Sequence, residues 1–468
     1  MKKLFFSIAL FLVAMLGVNA QTVNPDFQDG FLYVKLVDDY PLNFKVDVKN
    51  NREIDINEIP FLNATFEKYG VVRVAQDLYL FNDTKLLHTL CVSFTQHDKV
   101  EAFIEELQQF KQIEYAEKRP IKHISMIPND PYYTTYYGYN FKWHLEKIKA
   151  ADAWDLQTGS PSVIVAIVDN AVYGSHEDLG ISSSYLASIT WEGYSPSTTT
   201  GSANPPSSVS INSEDGYDWS HGTHCAGLVG AKLNNGVGVA SIGGGVTLMG
   251  VRTANNDGSM YSTDLGIQWA ADHGAKVISM SFGATQSSTT EQNLMQTCYN
   301  SGIILVAAAG NEGDQDNSIN YPGGYSTVIS VAAIDGNGKL AYFSQYGNGR
   351  ADIAAPGGFS ITSGTGYDNP QGINLVSTTY ANCYMLSNFS NLSGKRYDGM
   401  QGTSMACPMV AGLCGLMASA YSSITPAQAK SCLQTTAQSL ASGSHQIDGN
   451  GYVNAYAAVL CAQELNGR

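Results

Sequence analysis

A chain of 468 residues has room for about three units of ~150 residues. Hydrophobic residues make up 44% and charged residues only 14%, with 46 Gly and 15 Pro, a balance that favours a packed, loop-rich globule and excludes coiled coil, collagen and a disordered chain. The net charge of −15 opposes nucleic acid or anionic lipid as a partner, because both need clustered Lys and Arg to neutralise phosphate.

The chain opens with Lys2 and Lys3, an apolar run over residues 4–18, then Asn19 and Ala20. A charged start, a short apolar middle and a small-residue exit make a secretory signal, and the run is shorter than the ~20 residues a membrane span needs. Residues 1–20 are therefore expected to be removed after Ala20, sending a bacterial product to the periplasm, the cell surface or the medium. No later segment has 18 unbroken apolar residues, so no transmembrane anchor is expected. Residues 21–125 are denser in charge than the remainder and read as a small α+β unit. Strands are predicted over 30–36 and 86–94. Val100, Phe103, Ile104, Leu107 and Phe110 form one apolar stripe on a predicted helix of about four turns.

From Trp143 onward the texture changes. Residues 163–168, 246–251, 277–280 and 303–309 are short apolar runs unbroken by charge, as strands buried on both faces must be. Helices are predicted over 221–233, 263–273, 290–300, 404–420 and 426–437. The alternation predicts a doubly wound α/β fold with a mainly parallel sheet across residues 126–468, whose sites gather at the carboxyl ends of the strands. Two stretches rich in Ser, Thr, Gly, Asn and Pro, 195–213 and 357–394, read as surface insertions. Eight cysteines permit disulfides in an oxidising compartment. Cys432 and Cys461 are candidate partners, whereas Cys225, Cys407 and Cys414 sit among small apolar residues as core cysteines do; spacing alone leaves the pairing open.

Three short segments carry reactive groups. Asp169 ends the run 163–168, His221 opens His221-Gly-Thr-His-Cys-Ala-Gly227, and Ser404 lies in Gly402-Thr-Ser-Met-Ala-Cys-Pro408 at a predicted helix start. A serine hydroxyl is a poor nucleophile until a neutral imidazole takes its proton, and a carboxylate must hold that imidazole in the right tautomer and stabilise it once charged. The run beginning at Ile303 ends in Gly310-Asn311, which places an amide donor where the oxyanion of acyl transfer needs one. Pro408 is expected in the first helical turn, where its missing N–H is tolerated. Competing chemistries lack parts. His221 and His224 have no accompanying Glu motif for zinc hydrolysis, Cys407 stands one turn inside the helix where core burial is the ordinary outcome, and no Walker A sequence or Gly-x-Ser-x-Gly elbow occurs.

The order Asp, His, Ser, with these three motifs and Ala307-Ala-Ala-Gly-Asn311, resembles the subtilisin-like serine proteases. Asp, then His, then Ser along the chain is the subtilisin order. In detail the resemblance is closest to the thermitase and proteinase K branches, because Cys225 follows His-Gly-Thr-His and Pro128-Asn-Asp-Pro-Tyr-Tyr133 is similar to a mature thermitase start. It runs from about residue 128 to 459.

That resemblance implies a secreted serine endopeptidase acting on polypeptides through an acyl-enzyme. Asp169 then orients, His221 is general base and later acid, Ser404 attacks, and Asn311 joins the Ser404 N–H at the oxyanion. It implies that Ser281-Phe282-Gly283 pairs with the substrate backbone and that Asn320 lies at the floor of the first specificity pocket. It implies that residues 21–125 are a propeptide serving as folding aid and intramolecular inhibitor, cut by the enzyme itself between Lys118 and Ile127. It implies structural Ca²⁺ held by Asp130, Asp178 and Asn235, oxygen donors of the kind that ion prefers. A monomer is expected. Two departures stand out: Asn170-Ala171 follows Asp169 where the family usually has Ser or Thr and then Gly, and Met409 follows Pro408 where His is usual. Asn170 is expected to donate to the carboxylate, whereas Ala171 restricts the backbone if a positive φ is needed. The rival reading is a catalytically inactive or weakly active module of the same fold that only binds protein, since fold does not fix function.

Overall fold

The computed structural model describes residues 27–79, 83–121, 126–136, 138–347, 349–358, 374–449 and 451–466. The predicted signal segment 1–20, part of the expected cleavage region and residues 359–373 of the second predicted insertion lie outside them. The chain divides into two compact units that meet between Pro120 and Ile121.

The first unit is an antiparallel sheet with helices packed on it. Strands β1 (Phe27–Leu36), β2 (Val46–Asp47), β3 (Glu53–Ile54), β4 (Val71–Ala75), β5 (Thr89–Phe94) and β6 (Ile113–Pro120) run in the order β2-β3-β4-β5-β1-β6. Helices α1 (Asn63–Tyr69), α2 (Thr84–Leu87) and α3 (Val100–Leu107) accompany them, and Leu32, Val34, Phe66, Leu90, Phe103 and Leu107 form the core. The strand predicted from residue 86 begins at Thr89, because Asp83 accepts from Lys85 N and Leu86 N and caps the short helix α2 first. Helix α3 spans eight residues, just over two turns instead of four. Phe110 joins the same core from the turn that follows, its N–H donating to Leu107 O at 3.1 Å.

The second unit opens with the hairpin β7 (Thr135–Tyr136) and β8 (Tyr139–Asn140) and helices α4 (Trp143–Lys147) and α5 (Ala150–Leu156). Its main sheet holds β9 (Ile164–Asp169), β10 (Leu186–Glu192), β11 (Ser195–Thr200), β12 (Thr247–Arg252), β13 (Val277–Met280), β14 (Ile304–Ala308), β15 (Val328–Ile334) and β16 (Ile353–Pro356). The spatial order is β11-β10-β12-β9-β13-β14-β15-β16, and every pairing is parallel except β10 with β11.

Helices cover both faces, which is why the strands carry apolar residues at consecutive positions. After α6 (Glu214–Asp218), α7 (His221–Gly230) packs on one face. Helices α8 (Thr263–Asp272) and α9 (Thr289–Asn300) cover the other through Ile267, Ala270, Met295 and Cys298. A smaller antiparallel pair, β17 (Leu375–Thr378) with β18 (Tyr397–Met400), precedes α10 (Thr403–Ala420), α11 (Pro426–Thr435) and α12 (Ala455–Asn466). Among the described residues α10 alone is long and apolar enough to cross a membrane, and 83% of it is buried as the central helix of the core.

Both predicted insertions contain ordered strands. Residues 195–200 form β11, an edge strand exposed to solvent on both sides, so no apolar alternation marks it. The described part of 357–394 contains β17, whose four residues are all buried, and Leu386, Phe389 and Leu392 enter the main core, with Phe389 edge-on to Phe141 at 5.6 Å. Cys432 and Cys461 form a disulfide linking α11 to α12, while Cys225, Cys407 and Cys414 are free and buried.

Candidate active site

Parallel register brings the ends of β9, β13 and β14 to one edge: Met280 lies opposite both Val168 and Ala307, so Asp169, Ser281 and the segment leading to Asn311 emerge together. Asp169 is 1% exposed, and its carbonyl is fixed by Thr253 through N–H and Oγ1 at 2.9 and 3.0 Å. From the first residue of α7, His221 places Nδ1 2.8 Å from Asp169 Oδ1. That contact makes Nδ1 the protonated nitrogen and leaves Nε2 as the basic one. Burial pulls the imidazole pKa down, but the charge and hydrogen bond of Asp169 together outweigh it and the net direction is up.

Ser404 is the second residue of α10. Pro408 is the sixth, inside the helix and not in its first turn as expected. A proline there withholds the N–H that would bond the carbonyl four residues back, which belongs to Ser404. Two side chains take that carbonyl instead: Ser281 Oγ donates at 2.8 Å and Cys225 Sγ at 3.3 Å. In return Ser404 Oγ donates to Ser281 O at 3.2 Å, so the hydroxyl is turned to the strand edge and not to His221. Cys225, one turn along α7, lies within 4.8 Å of the Asp169 and His221 ligand atoms. The Cys225 thiol thus links the Ser404 carbonyl to the neighbourhood of the Asp169–His221 pair. Burial pushes that thiol well above its ordinary pKa, so it is a neutral donor and no rival nucleophile.

The amide of Asn311 is oriented by Thr403, whose N–H and Oγ1 both donate to Asn311 Oδ1, at 2.9 and 3.0 Å. Its Nδ2 is therefore the free end, and the Ser404 N–H has no acceptor among the described residues. Gly402, at φ 145°, leaves the space before these two donors open: a Cβ built on it would sit 3.6 Å from Asn311 Nδ2 and 3.6 Å from Ser404 N. The importance of Thr403 was missed in the sequence, although its place between Gly402 and Ser404 was the available signal.

Ser281, Phe282 and Gly283 leave the end of β13, and Ala284 exchanges two 2.8 Å backbone bonds with Tyr321. Asn320 is brought against this edge. Its Nδ2 donates to Ala308 O at 3.2 Å, and only the absence of a side chain on Gly283 admits it, since a Cβ there would lie 2.1 Å from that nitrogen.

Asp130, Asp178 and Asn235 also converge. Asp130 accepts from Asn234 N and Asn235 N, while Asp178 accepts from Val239 N and from Asn235 Nδ2, all between 2.8 and 3.1 Å. Burial pushes Asp178 up to about 7, helped by the charges of Asp130 and Glu177, and burial also raises Asp130. A desolvated pair of carboxylates that resists its own charge is chemistry a cation relieves. Asn235 turns its nitrogen to Asp178 while its oxygen accepts from Val237 N at 2.7 Å, so an ion would gain that oxygen only by reversing the amide and displacing the Val237 bond.

The residues that depart from the family pattern are placed as follows, with one correction. Asn170 does not give its side chain to Asp169; its Nδ2 donates to Asp218 O at 3.0 Å, and only its backbone N–H reaches Asp169 Oδ1, at 2.7 Å. Ala171 has no positive φ, so its replacement of glycine stores no strain. Met409, which departs from the family's usual His, is fully buried in the main core. His224, the second histidine of its motif, is a core group: its Nε2 faces Leu375 O and Asp398 O, and burial lowers its pKa to about 3.

Known proteins resemble this chain over most of its second unit. A model described as the subtilase family matches residues 160–451. Thermitase of Thermoactinomyces vulgaris is 36% identical over 335 residues, covering 71% of this chain and 99% of that one. A thermophilic serine proteinase of Bacillus sp. (strain AK1) is 31% identical over 362 residues, covering 77% of this chain and 76% of the relative. Among solved structures, a protease from Pseudoalteromonas arctica PAMC 21717 superposes with a TM-score of 0.57 at 30% identity, covering 72% of this chain and all of that one. The chain belongs to the subtilase family and is a serine endopeptidase.

Proposed function

We propose that the enzyme cuts polypeptides through an Asp169–His221–Ser404 triad and an acyl-enzyme. The observation that carries this is the 2.8 Å bond from His221 Nδ1 to a buried Asp169, with Cys225 linking the pair's surroundings to the Ser404 carbonyl. Ser404 Oγ, swung from Ser281 O toward His221, attacks the scissile carbonyl as Nε2 takes its proton. Asp169 stays ionised and stabilises the imidazolium. Asn311 Nδ2 and the Ser404 N–H receive the developing oxyanion. Collapse passes the proton to the leaving amine, and water repeats the sequence to free the acyl product. Ser281-Phe282-Gly283 offers its edge to the substrate backbone, and Asn320 lines the first side-chain pocket.

The same reading extends to processing. Residues 1–20 direct export, residues 21–125 form an inhibitory propeptide, and the enzyme cuts between Lys118 and Ile127 to release an extracellular monomer. A Ca²⁺ ion held by Asp130, Asp178 and Asn235 would tie the mature N-terminal segment to the loop after α7 by neutralising the buried carboxylates. Purified wild-type precursor is expected to shorten to one species beginning within residues 119–127. Ser404→Ala precursor should remain full length, and shortening of both at the same bond would remove self-cleavage from the account.

A further inference from the structure

We propose that Asn170 is a positioning residue for the His221 imidazole, clamping the helix that carries it against the strand end that carries Asp169. This rests on His221 being the general base. Asn170 reaches three segments at once. Its N–H donates to Asp169 Oδ1 at 2.7 Å, its side-chain Oδ1 accepts from Gly222 N at 3.1 Å and from Ala171 N at 2.6 Å, and its Nδ2 donates to Asp218 O at 3.0 Å.

The first N–H groups of a helix have no partner within it and need one from outside. Helix α7 has no side-chain cap of its own. Ser220, at the N-cap, donates its hydroxyl to Gly216 O and accepts from Tyr380 N and Ala381 N, so it is fully occupied elsewhere. Asn170 supplies the missing acceptor from β9, and by gripping Asp218 O it also holds the chain on the far side of His221. The fit is close. A Cβ on Gly222 would lie 2.3 Å from Ala171 O and 2.6 Å from Asp169 Cβ.

The orientation of Asp169 makes this clamp matter. Both bonds to its carboxylate, from Asn170 N and His221 Nδ1, fall on Oδ1, while Oδ2 is buried without a partner among the described residues. His221 Nδ1 and Asn170 N share Oδ1, so the bond between ring and carboxylate depends on where α7 holds the ring. The ionisable groups around the ring are Asp169, the Cys225 thiol and His224 further along α7.

The test compares wild type, Asn170→Ala and Asn170→Asp, with rates expressed per site titrated by a fluorophosphonate so that misfolded protein does not enter. For Asn170→Ala, kcat should fall by about ten- to a hundred-fold with KM changed less than about two-fold, the penalty of sub-ångström to ångström misplacement. Its acid limb of kcat/KM should move to lower pH as the ring loses the hold of Asp169. Asn170→Asp keeps an acceptor for the Gly222 N–H but loses the donor to Asp218 O, so it should recover part of the kcat lost in Asn170→Ala, by several-fold, without reaching wild type. An Asn170→Ala enzyme with wild-type kcat and acid limb per titrated site overturns the clamp, whatever its melting temperature. A wild type that neither binds the probe nor turns over overturns the triad, and the clamp with it.

Discussion

Ser281 and Ser404 hold each other reciprocally: Ser281 Oγ donates to Ser404 O at 2.8 Å, and Ser404 Oγ donates to Ser281 O at 3.2 Å. Pro408 creates the opening for the first bond by having no N–H to offer that carbonyl. Replacing Ser281 with alanine leaves the Ser404 carbonyl only the weak thiol donor of Cys225. The expected cost is roughly 1–3 kcal/mol of stability, the price of an under-satisfied buried acceptor, measured as the shift in denaturant midpoint. A midpoint unchanged from wild type would mean that solvent or Cys225 fully replaces the hydroxyl.

Asn311→Ala removes the donor whose partner oxygen is pinned by Thr403. In this variant kcat should drop by about 10²–10³-fold with KM little changed, a magnitude carried over from loss of the corresponding donor in subtilisin. Thr403→Val should reproduce part of that drop, because Asn311 loses one of the two bonds that aim it. Steady-state kinetics on a peptide substrate checks both.

The pH profile follows from His221. The base must be neutral, so kcat/KM falls as pH drops through its pKa, and because Asp169 holds that pKa above the ordinary 6.5 the acid limb should lie above 6.5. In Asp169→Asn the charge is gone and burial alone remains, so the limb should move below 6.5 while kcat falls by about 10⁴-fold. A limb that stays in place would detach the imidazole from Asp169.

Chelation tests the cation. If an ion bridges Asp130, Asp178 and Asn235, excess chelator lowers the melting temperature of the mature enzyme, and restoring Ca²⁺ raises it, since a ligand held by the folded state alone stabilises it. The Asp178→Asn variant should melt at nearly the same temperature with and without Ca²⁺.

Much of the fold was legible in the sequence because the strands β9, β12, β13 and β14 are covered on both faces, which demands unbroken apolar runs. Residues 195–200 were not legible as a strand, because an edge exposed on both sides leaves Ser-Pro-Ser-Thr-Thr-Thr with no apolar face to show. Asp83 altered the start of β5 by capping a helix that the apolar pattern of 86–94 concealed. At the site, residue types and order pointed to Asp169, His221, Ser404 and Asn311, whose chemistry is written in their side chains. What Asn170, Thr403 and Pro408 do depends on which carbonyls and amides reach them from remote segments, and no local spacing encodes that.

Catalysis depends on His221 activating a Ser404 Oγ that rests on Ser281 O. Fluorophosphonate labelling of the mature enzyme followed by peptide mass mapping measures this directly. One equivalent of label on Ser404, abolished in His221→Ala with the fold intact by circular dichroism, is the predicted result. Labelling of Ser404 at an undiminished rate in His221→Ala, or no labelling of a folded wild type, would contradict it.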